Sequence, residues 1–177
     1  MNRVLIVGNV AGGKSALARR LSQLLSLPVT HVDSIQFLPG LKIRKLTETR
    51  EELFKITQQE KWILDGYGPL DLLERHFGLA DRIIFIDLPV AQHYWWFFKR
   101  QLRCLWKPRA ELPQGCNEAT LSHTVRLTKS IWRMHTRMRP ELLRIFARPD
   151  LTKKVVHIRS LKQWNQMARH GLGPSAP

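Results

Sequence analysis

Short apolar runs that end in glycine or aspartate, alternating with stretches of helical apolar spacing, predict a three-layer α/β fold with a mostly parallel sheet. The first run leads into a glycine-rich loop and then a helical stretch, the order in which such sheets build phosphate sites. Length agrees: at roughly 100–200 residues per domain, 177 residues make one domain, or one domain with an inserted lid. The expected layout is one domain over 1–170, a lid at about 100–118 and a flexible tail at 171–177.

The elements follow in order. Arg3-Val4-Leu5-Ile6-Val7 reads as a buried parallel strand ending at Gly8. Leu17, Leu21, Leu24 and Leu25 recur at helical spacing after Lys14. Pro28 punctuates, and Val29-Thr30-His31-Val32 predicts a second strand ending at Asp33. Pro39-Gly40 is a turn, and Glu48 to Glu60 a charged helix. Trp62-Ile63-Leu64 is a strand ending at Asp65-Gly66, Leu70 to Phe77 a short helix, and Ile83-Ile84-Phe85-Ile86 a strand ending at Asp87. A long aromatic helix runs from about Val90 to Leu105. Lys107 to Gly115 carries two prolines and a glycine and is a loop or lid. Leu121, Val125, Thr128, Trp132, His135 and Met138 mark a second long helix, which Pro140 kinks or interrupts. Val155-Val156-His157-Ile158 is the last strand, and Ser160 caps a closing helix from Leu161 to Arg169.

Gly8-Asn9-Val10-Ala11-Gly12-Gly13-Lys14-Ser15 fits GxxxxGK[ST] at every fixed position. Glycines 8, 12 and 13 let the backbone wrap a phosphate with its N–H groups inward, at the positive end of the following helix. Lys14 reaches the β- and γ-phosphates, and the Ser15 hydroxyl serves Mg²⁺. Nucleotide binding is therefore assigned to Gly8, Asn9, Val10, Ala11, Gly12, Gly13, Lys14, Ser15 and Ala16, with ATP and Mg²⁺ as the cofactors.

Asp33, Asp65 and Asp87 end three strands at the edge where open α/β sheets bind ligands. Asp33 either orients and deprotonates an acceptor hydroxyl or caps a turn with Ser34. Asp65 and Asp87 are either acceptors for the Mg²⁺ water shell or turn residues. Arg100, Arg103 and Arg109 flank the lid, where arginines closing over a transferring phosphoryl group stabilise its spreading charge; the alternative is a solvated helix face. Tyr94 to Phe98 is aromatic all round and reads mainly as core packing, with base stacking or an interface as the alternative. His93, His123 and His135 match no zinc spacing with Cys104 and Cys116 and are read as structural.

The net charge of +15 is concentrated. Residues 1–98 hold 12 Lys and Arg against 10 Asp and Glu, whereas 99–169 hold 17 against 4. That half predicts anionic partners, among them nucleotide phosphates and nucleic acid, and Arg126, Lys129, Arg133 and Arg137 form a basic stripe within it. No run approaches the roughly 18 apolar residues of a membrane helix, the N-terminus lacks a signal-peptide pattern, and two cysteines build no disulfide framework. A soluble, cytoplasmic protein is expected.

His31-Val32-Asp33-Ser34-Ile35-Gln36-Phe37-Leu38-Pro39-Gly40, Asp65-Gly66-Tyr67, Phe85-Ile86-Asp87-Leu88-Pro89, Lys99-Arg100-Gln101-Leu102-Arg103 and Gln114-Gly115-Cys116-Asn117-Glu118 follow the loop in order. Together they resemble the adenylate-kinase-related DNA topology modulation (FlaR-type) family of bacterial P-loop proteins over about residues 1–146. The resemblance implies a P-loop kinase fold with a five-stranded parallel sheet, a small helical lid, and binding of ATP with Mg²⁺. Tyr67-Gly68-Pro69 stands where adenylate kinases continue with Phe-Pro-Arg, and Arg109-Ala110-Glu111 where the family's lid has Arg-Pro-Asp. The acceptor-gripping arginine of adenylate kinases is thus missing. Two functions follow: a small-molecule or nucleotide kinase, or a nucleotide-dependent nucleic-acid-binding or DNA-topology regulatory protein with weak or no kinase activity. The second is supported by no helix-turn-helix, zinc-finger or RNA-binding signature.

Overall fold

The computed structural model describes residues 1–104 and 121–172. Five parallel strands form one sheet: β1 (Arg3–Gly8), β2 (Val29–His31), β5 (Trp62–Asp65), β6 (Arg82–Ile86) and β7 (Val155–Ile158), in the spatial order β2-β5-β1-β6-β7. A two-stranded antiparallel ribbon, β3 (Phe37–Leu38) and β4 (Lys42–Ile43), stands apart from it. Crossover helices cover both faces of the sheet, which is why its strands are apolar on both sides.

Alternation along the strands divides the core in two. Leu5, Val7, Trp62, Leu64, Ile83 and Phe85 face one way. They pack against Leu53 of α3 (Leu46–Gln58), Phe77 of α4 (Leu73–Leu79), Leu142 and Phe146 of α7 (Arg139–Phe146), and Leu151 of the short α8 (Pro149–Thr152). Val4, Ile6, Ile63, Ile84 and Ile86 face the other way. They meet Leu17, Ala18 and Leu21 of α1 (Lys14–Leu25) and Trp164 and Met167 of α9 (Leu161–His170). The Ser160 hydroxyl accepts from Gln163 N at 3.2 Å, so the expected N-cap of α9 is formed.

Three elements differ from the sequence-based expectation. The second strand stops at His31, and Val32–Gln36 turns into the short helix α2, so Asp33 lies in its first turn. The reason is packing: Val32 is buried against Gly66, where a Cβ would stand 3.1 Å from the Val32 Cβ, and Ser34 Oγ donates to His31 O at 2.7 Å. Helix α5 (Val90–Cys104) is two-sided and not aromatic core all round. His93 and Phe97 are buried, but Trp95 and Phe98 are 52% and 56% exposed. The second long helix divides into α6 (Leu121–Arg133), a π turn (Met134–Met138) and α7. Pro140 has no N–H to offer Thr136 O, and Arg139 N–H reaches five residues back to Met134 O. Pro140 therefore interrupts this helix, as its position implied.

His76 on α4 is buried, and no partner meets its Nδ1 among the described residues. Burial, and secondarily the Arg75 charge, pushes its pKa from 6.5 down to about 4. The unfolded chain takes up this proton near pH 6.5 and the fold only near 4, so the residue weakens the fold progressively as pH falls through that window. His76→Leu should flatten the fall of melting temperature between pH 6.5 and 4 relative to wild type. Parallel curves for the two proteins would reject the buried neutral histidine.

Candidate functional site

The phosphate-type loop leaves β1 at Gly8 (φ 151°), passes Ala11 (φ 54°) and enters α1 from Gly13 (φ 77°). Positive φ at 11 and 13 curls the backbone back on itself, and Gly12 N–H closes the curl onto Asn9 O at 3.2 Å. The loop is held from outside. Asn9 Nδ2 donates to Ile131 O on α6 at 3.0 Å, while Asn9 Oδ1 accepts from Val10 N at 2.7 Å. His93 lies 3.0 Å from Val10 O through Nδ1. A carbonyl only accepts, so Nδ1 carries the hydrogen; burial pulls the His93 pKa down, favouring the neutral ring. Trp96 and Trp164 meet edge to face and wall Gly13, where a Cβ would lie 3.0 and 3.1 Å from their rings.

Lys14 Nζ donates to Asn9 O at 2.9 Å, and its charge is felt at Asp65. His31 Nδ1 stands 2.7 Å from Asp65 Oδ2, and the Ser15 hydroxyl lies near enough to the same carboxyl to lower its pKa. Burial pushes the Asp65 pKa up, but His31, Lys14 and Ser15 together outweigh it and hold the carboxyl below its ordinary value. Asp65 Oδ1 is buried and has no hydrogen-bond partner among the described residues. A buried acceptor beside a serine hydroxyl and an ammonium suits the water shell of a Mg²⁺, so Ser15 and Asp65 fit that ion.

Asp87 is placed differently. Both of its oxygens are taken: Arg139 Nε and Nη2 donate at 2.6 and 3.0 Å, and His157 Nε2 lies 2.8 Å from Oδ2. Arg159 Nε donates to His157 Nδ1 at 3.1 Å, which leaves the ring hydrogen on Nε2 for Asp87. Burial pushes the Asp87 pKa up, and Arg139 and His157 bring it below the ordinary carboxylate value. The metal role expected for Asp87 thus meets an arginine already in bidentate contact. Strand alternation is the cause: Asp65 continues the Ile63 face, on α1, whereas Asp87 continues the Phe85 face, toward α7.

Asn9, Tyr67, Asp87, His93, His135 and Arg139 line a shallow cleft open to solvent along the loop's outer side. The π turn brings Met134, His135 and Arg139 to it together. Burial raises the Tyr67 pKa, keeping the hydroxyl neutral beside Gly8. Asp33 is half-buried on α2, and Arg103 is exposed in the last turn of α5. Arg100 lies over the Phe97 ring at 5.5 Å, still within α5. Residues 100–104 of the expected lid form the last turns of α5, and Arg109, Cys116 and most of the lid lie outside the described residues. Lys14, Ser15 and Asp65 come together, with the loop around them. His31, Arg139, His157 and Trp164 were not singled out by sequence. The His31–Asp65 pair alone had a signal, two polar residues ending neighbouring apolar runs.

No protein-family model matches the chain, and no curated protein matches its sequence. Solved structures do. The shikimate kinase from Acinetobacter baumannii in complex with shikimate is 14% identical and aligns over 98% of this chain and 96% of its own, with a TM-score of 0.51. This chain has the P-loop kinase fold. The deoxyadenosine kinase from M. mycoides with bound dATP is 15% identical over 89% of this chain and 90% of its own, at a TM-score of 0.47. At 14% identity the likeness to the shikimate kinase speaks for architecture alone.

Gly13→Ala would put a methyl against Trp96 and Trp164 in a left-handed conformation. That strain, about 1–3 kcal/mol, should weaken ATP binding roughly tenfold or more and shift tryptophan emission, with helical circular dichroism retained. Unchanged ATP affinity and emission would remove the loop from the binding site.

Proposed function

We propose that this chain is an ATP-dependent phosphotransferase of the adenylate-kinase-like class, moving the γ-phosphoryl group of ATP to a small-molecule or nucleotide acceptor. The observation that carries the reading is the curled loop of Gly8 to Lys14, with Lys14 and Ser15 gathered beside the buried Asp65. The P-loop kinase fold supports it. The ordered resemblance to the topology modulation family belongs to the same proposal, with its motifs as its support.

Backbone N–H groups of the loop and the positive end of α1 receive the phosphates, and Lys14 leaves Asn9 O to meet the β- and γ-oxygens. Ser15 would hold Mg²⁺, with Asp65 accepting from its waters; the ion would screen the charge of the phosphates. Asp33, on the neighbouring α2, takes the acceptor's hydroxyl proton. Arg100, Arg103 and Arg109 are assigned to the transferring group's charge. The cleft beside Asp87 and Arg139 takes the acceptor. Tyr67-Gly68-Pro69 in place of Phe-Pro-Arg argues against an ordinary nucleoside monophosphate acceptor. A role in binding nucleic acid has exposed Arg126, Lys129, Arg133 and Arg137 in its favour, and rests on charge alone.

Calorimetry and an ADP-release screen across candidate acceptors test the reading together. Lys14→Ala should weaken ATP far more than AMP. Asp33→Asn should leave ATP affinity within about threefold and lower turnover by roughly 10²–10⁴, the range of general-base catalysis. Equal ATP affinity in Lys14→Ala and wild type rejects the nucleotide site. Full turnover in Asp33→Asn makes Asp33 a turn residue.

A further inference from the structure

We infer that His31 is a positioning residue for the metal side of the nucleotide site: its ring occupies one Asp65 oxygen and so reserves the other for the water shell of Mg²⁺. The inference rests on the ATP·Mg²⁺ reading above.

The contact is built by sheet register. β2 and β5 are parallel neighbours, and His31 lies directly opposite Asp65. His31 Nδ1 stands 2.7 Å from Asp65 Oδ2, with Asp65 only 5% exposed. The carboxyl is ionised and can only accept, so Nδ1–H is the donor. A carboxylate on a free rotor would turn either oxygen toward Ser15 and Lys14; one pinned at Oδ2 presents the same oxygen each time. That remaining oxygen, Oδ1, is buried and without a partner among the described residues. Leaving a buried acceptor unmade is costly, and natural structures keep such groups where a ligand or water completes them. Ser15 marks the ligand's place, because the hydroxyl assigned to Mg²⁺ stands beside the same carboxyl and lowers its pKa. A Mg²⁺ keeps most of its waters, and each needs an acceptor beyond the first shell. Partners that orient such acceptors typically govern metal affinity by 10–100-fold.

A competing role is mechanical. β2 is a three-residue strand at the sheet edge, and the same hydrogen bond pins it to β5. Stability reports on that pin; the coupling between Mg²⁺ and ATP reports on positioning. The experiment is calorimetric titration of ATP with and without Mg²⁺ on wild type, His31→Ala and His31→Asn, each checked for a cooperative melt. Asn can place an amide N–H where the ring Nδ1–H stands. Wild type should gain ATP affinity on adding Mg²⁺. His31→Ala should lose roughly 10–100-fold of that gain, and His31→Asn should keep most of it. A full Mg²⁺ gain in folded His31→Ala, even with a lowered melting temperature, makes His31 a strand pin and overturns the inference. Equal losses in Ala and Asn overturn the hydrogen bond as the cause. Wild type binding ATP without any Mg²⁺ gain overturns the metal assignment beneath it, an outcome separable from the other two because it needs no variant.

Discussion

Gly8 ends β1 between β5 and β6, and a methyl group there would lie 2.4 Å from Ile86 O. No side chain fits in that gap, and the residue's φ of 151° is one that L-amino acids rarely adopt. Through this contact the central strand runs to the sheet's edge without splaying from β6, with Gly8 paired to Ile86. The loop then leaves from the middle of the sheet, where strands on either side supply groups to both of its flanks. Asp65 arrives from β5, paired in register with Ile6. Asp87 and His93 arrive from the β6 side, and the His93 ring stands 3.0 Å from where a Gly12 Cβ would be. Moving β1 outward by the width of one methyl would shift the loop relative to every one of these groups.

Strand parity then decides which chemistry each aspartate can do. Asp65 and Asp87 follow apolar strands of similar composition and end them at the same edge of the sheet. One faces α1 and meets a serine, a lysine and a histidine; the other faces α7 and meets an arginine and a histidine. Among the described residues Asp65 keeps an unfilled acceptor oxygen, whereas the charge and both oxygens of Asp87 are already matched. The sheet thus separates a buried carboxylate with a spare acceptor oxygen from one whose charge is already compensated.

Much of this was legible in the sequence, for an identifiable reason. β1, β5 and β6 are apolar runs inside the sheet, and burial on both faces leaves no other reading for them. The loop motif carries its own context. Val32 misled, since an apolar residue after Val29-Thr30-His31 extends a strand by pattern, while its burial over Gly66 is a tertiary fact. The sides taken by Asp65 and Asp87 could be read by counting alternate residues from Ile63 and Phe85. Arg139 could not be found that way. Its 52-residue separation from Asp87 is closed by the π turn ahead of Pro140, whose extra residue resets which side chains face the cleft. Likewise, Trp95 and Phe98 differ from Trp96 and Phe97 in facing only, which local aromatic content does not disclose.

Lys14 shows most directly what the proposed phosphate site would do for the helix that carries it. It is the first residue of α1, where the aligned peptide dipoles leave partial positive charge, and the first turn holds no acidic residue to offset it. A cation at that position costs roughly 0.3–1 kcal/mol where an acid would gain as much. Gly13 before it supplies no capping side chain, so the first N–H groups of the helix have none to bond. Each choice is unfavourable for the helix alone: a repelled ammonium, an uncapped end and a left-handed entry. All three turn favourable when a phosphate fills the curl, accepting from those N–H groups and lying against the ammonium. Until then Lys14 lies back on Asn9 O, and Asp65 offers its negative field from the next strand. The local cost in α1 and the buried acceptor on Asp65 are therefore two halves of one arrangement, positive on the loop side and negative on the strand side. An anion and its counter-cation together would complete both.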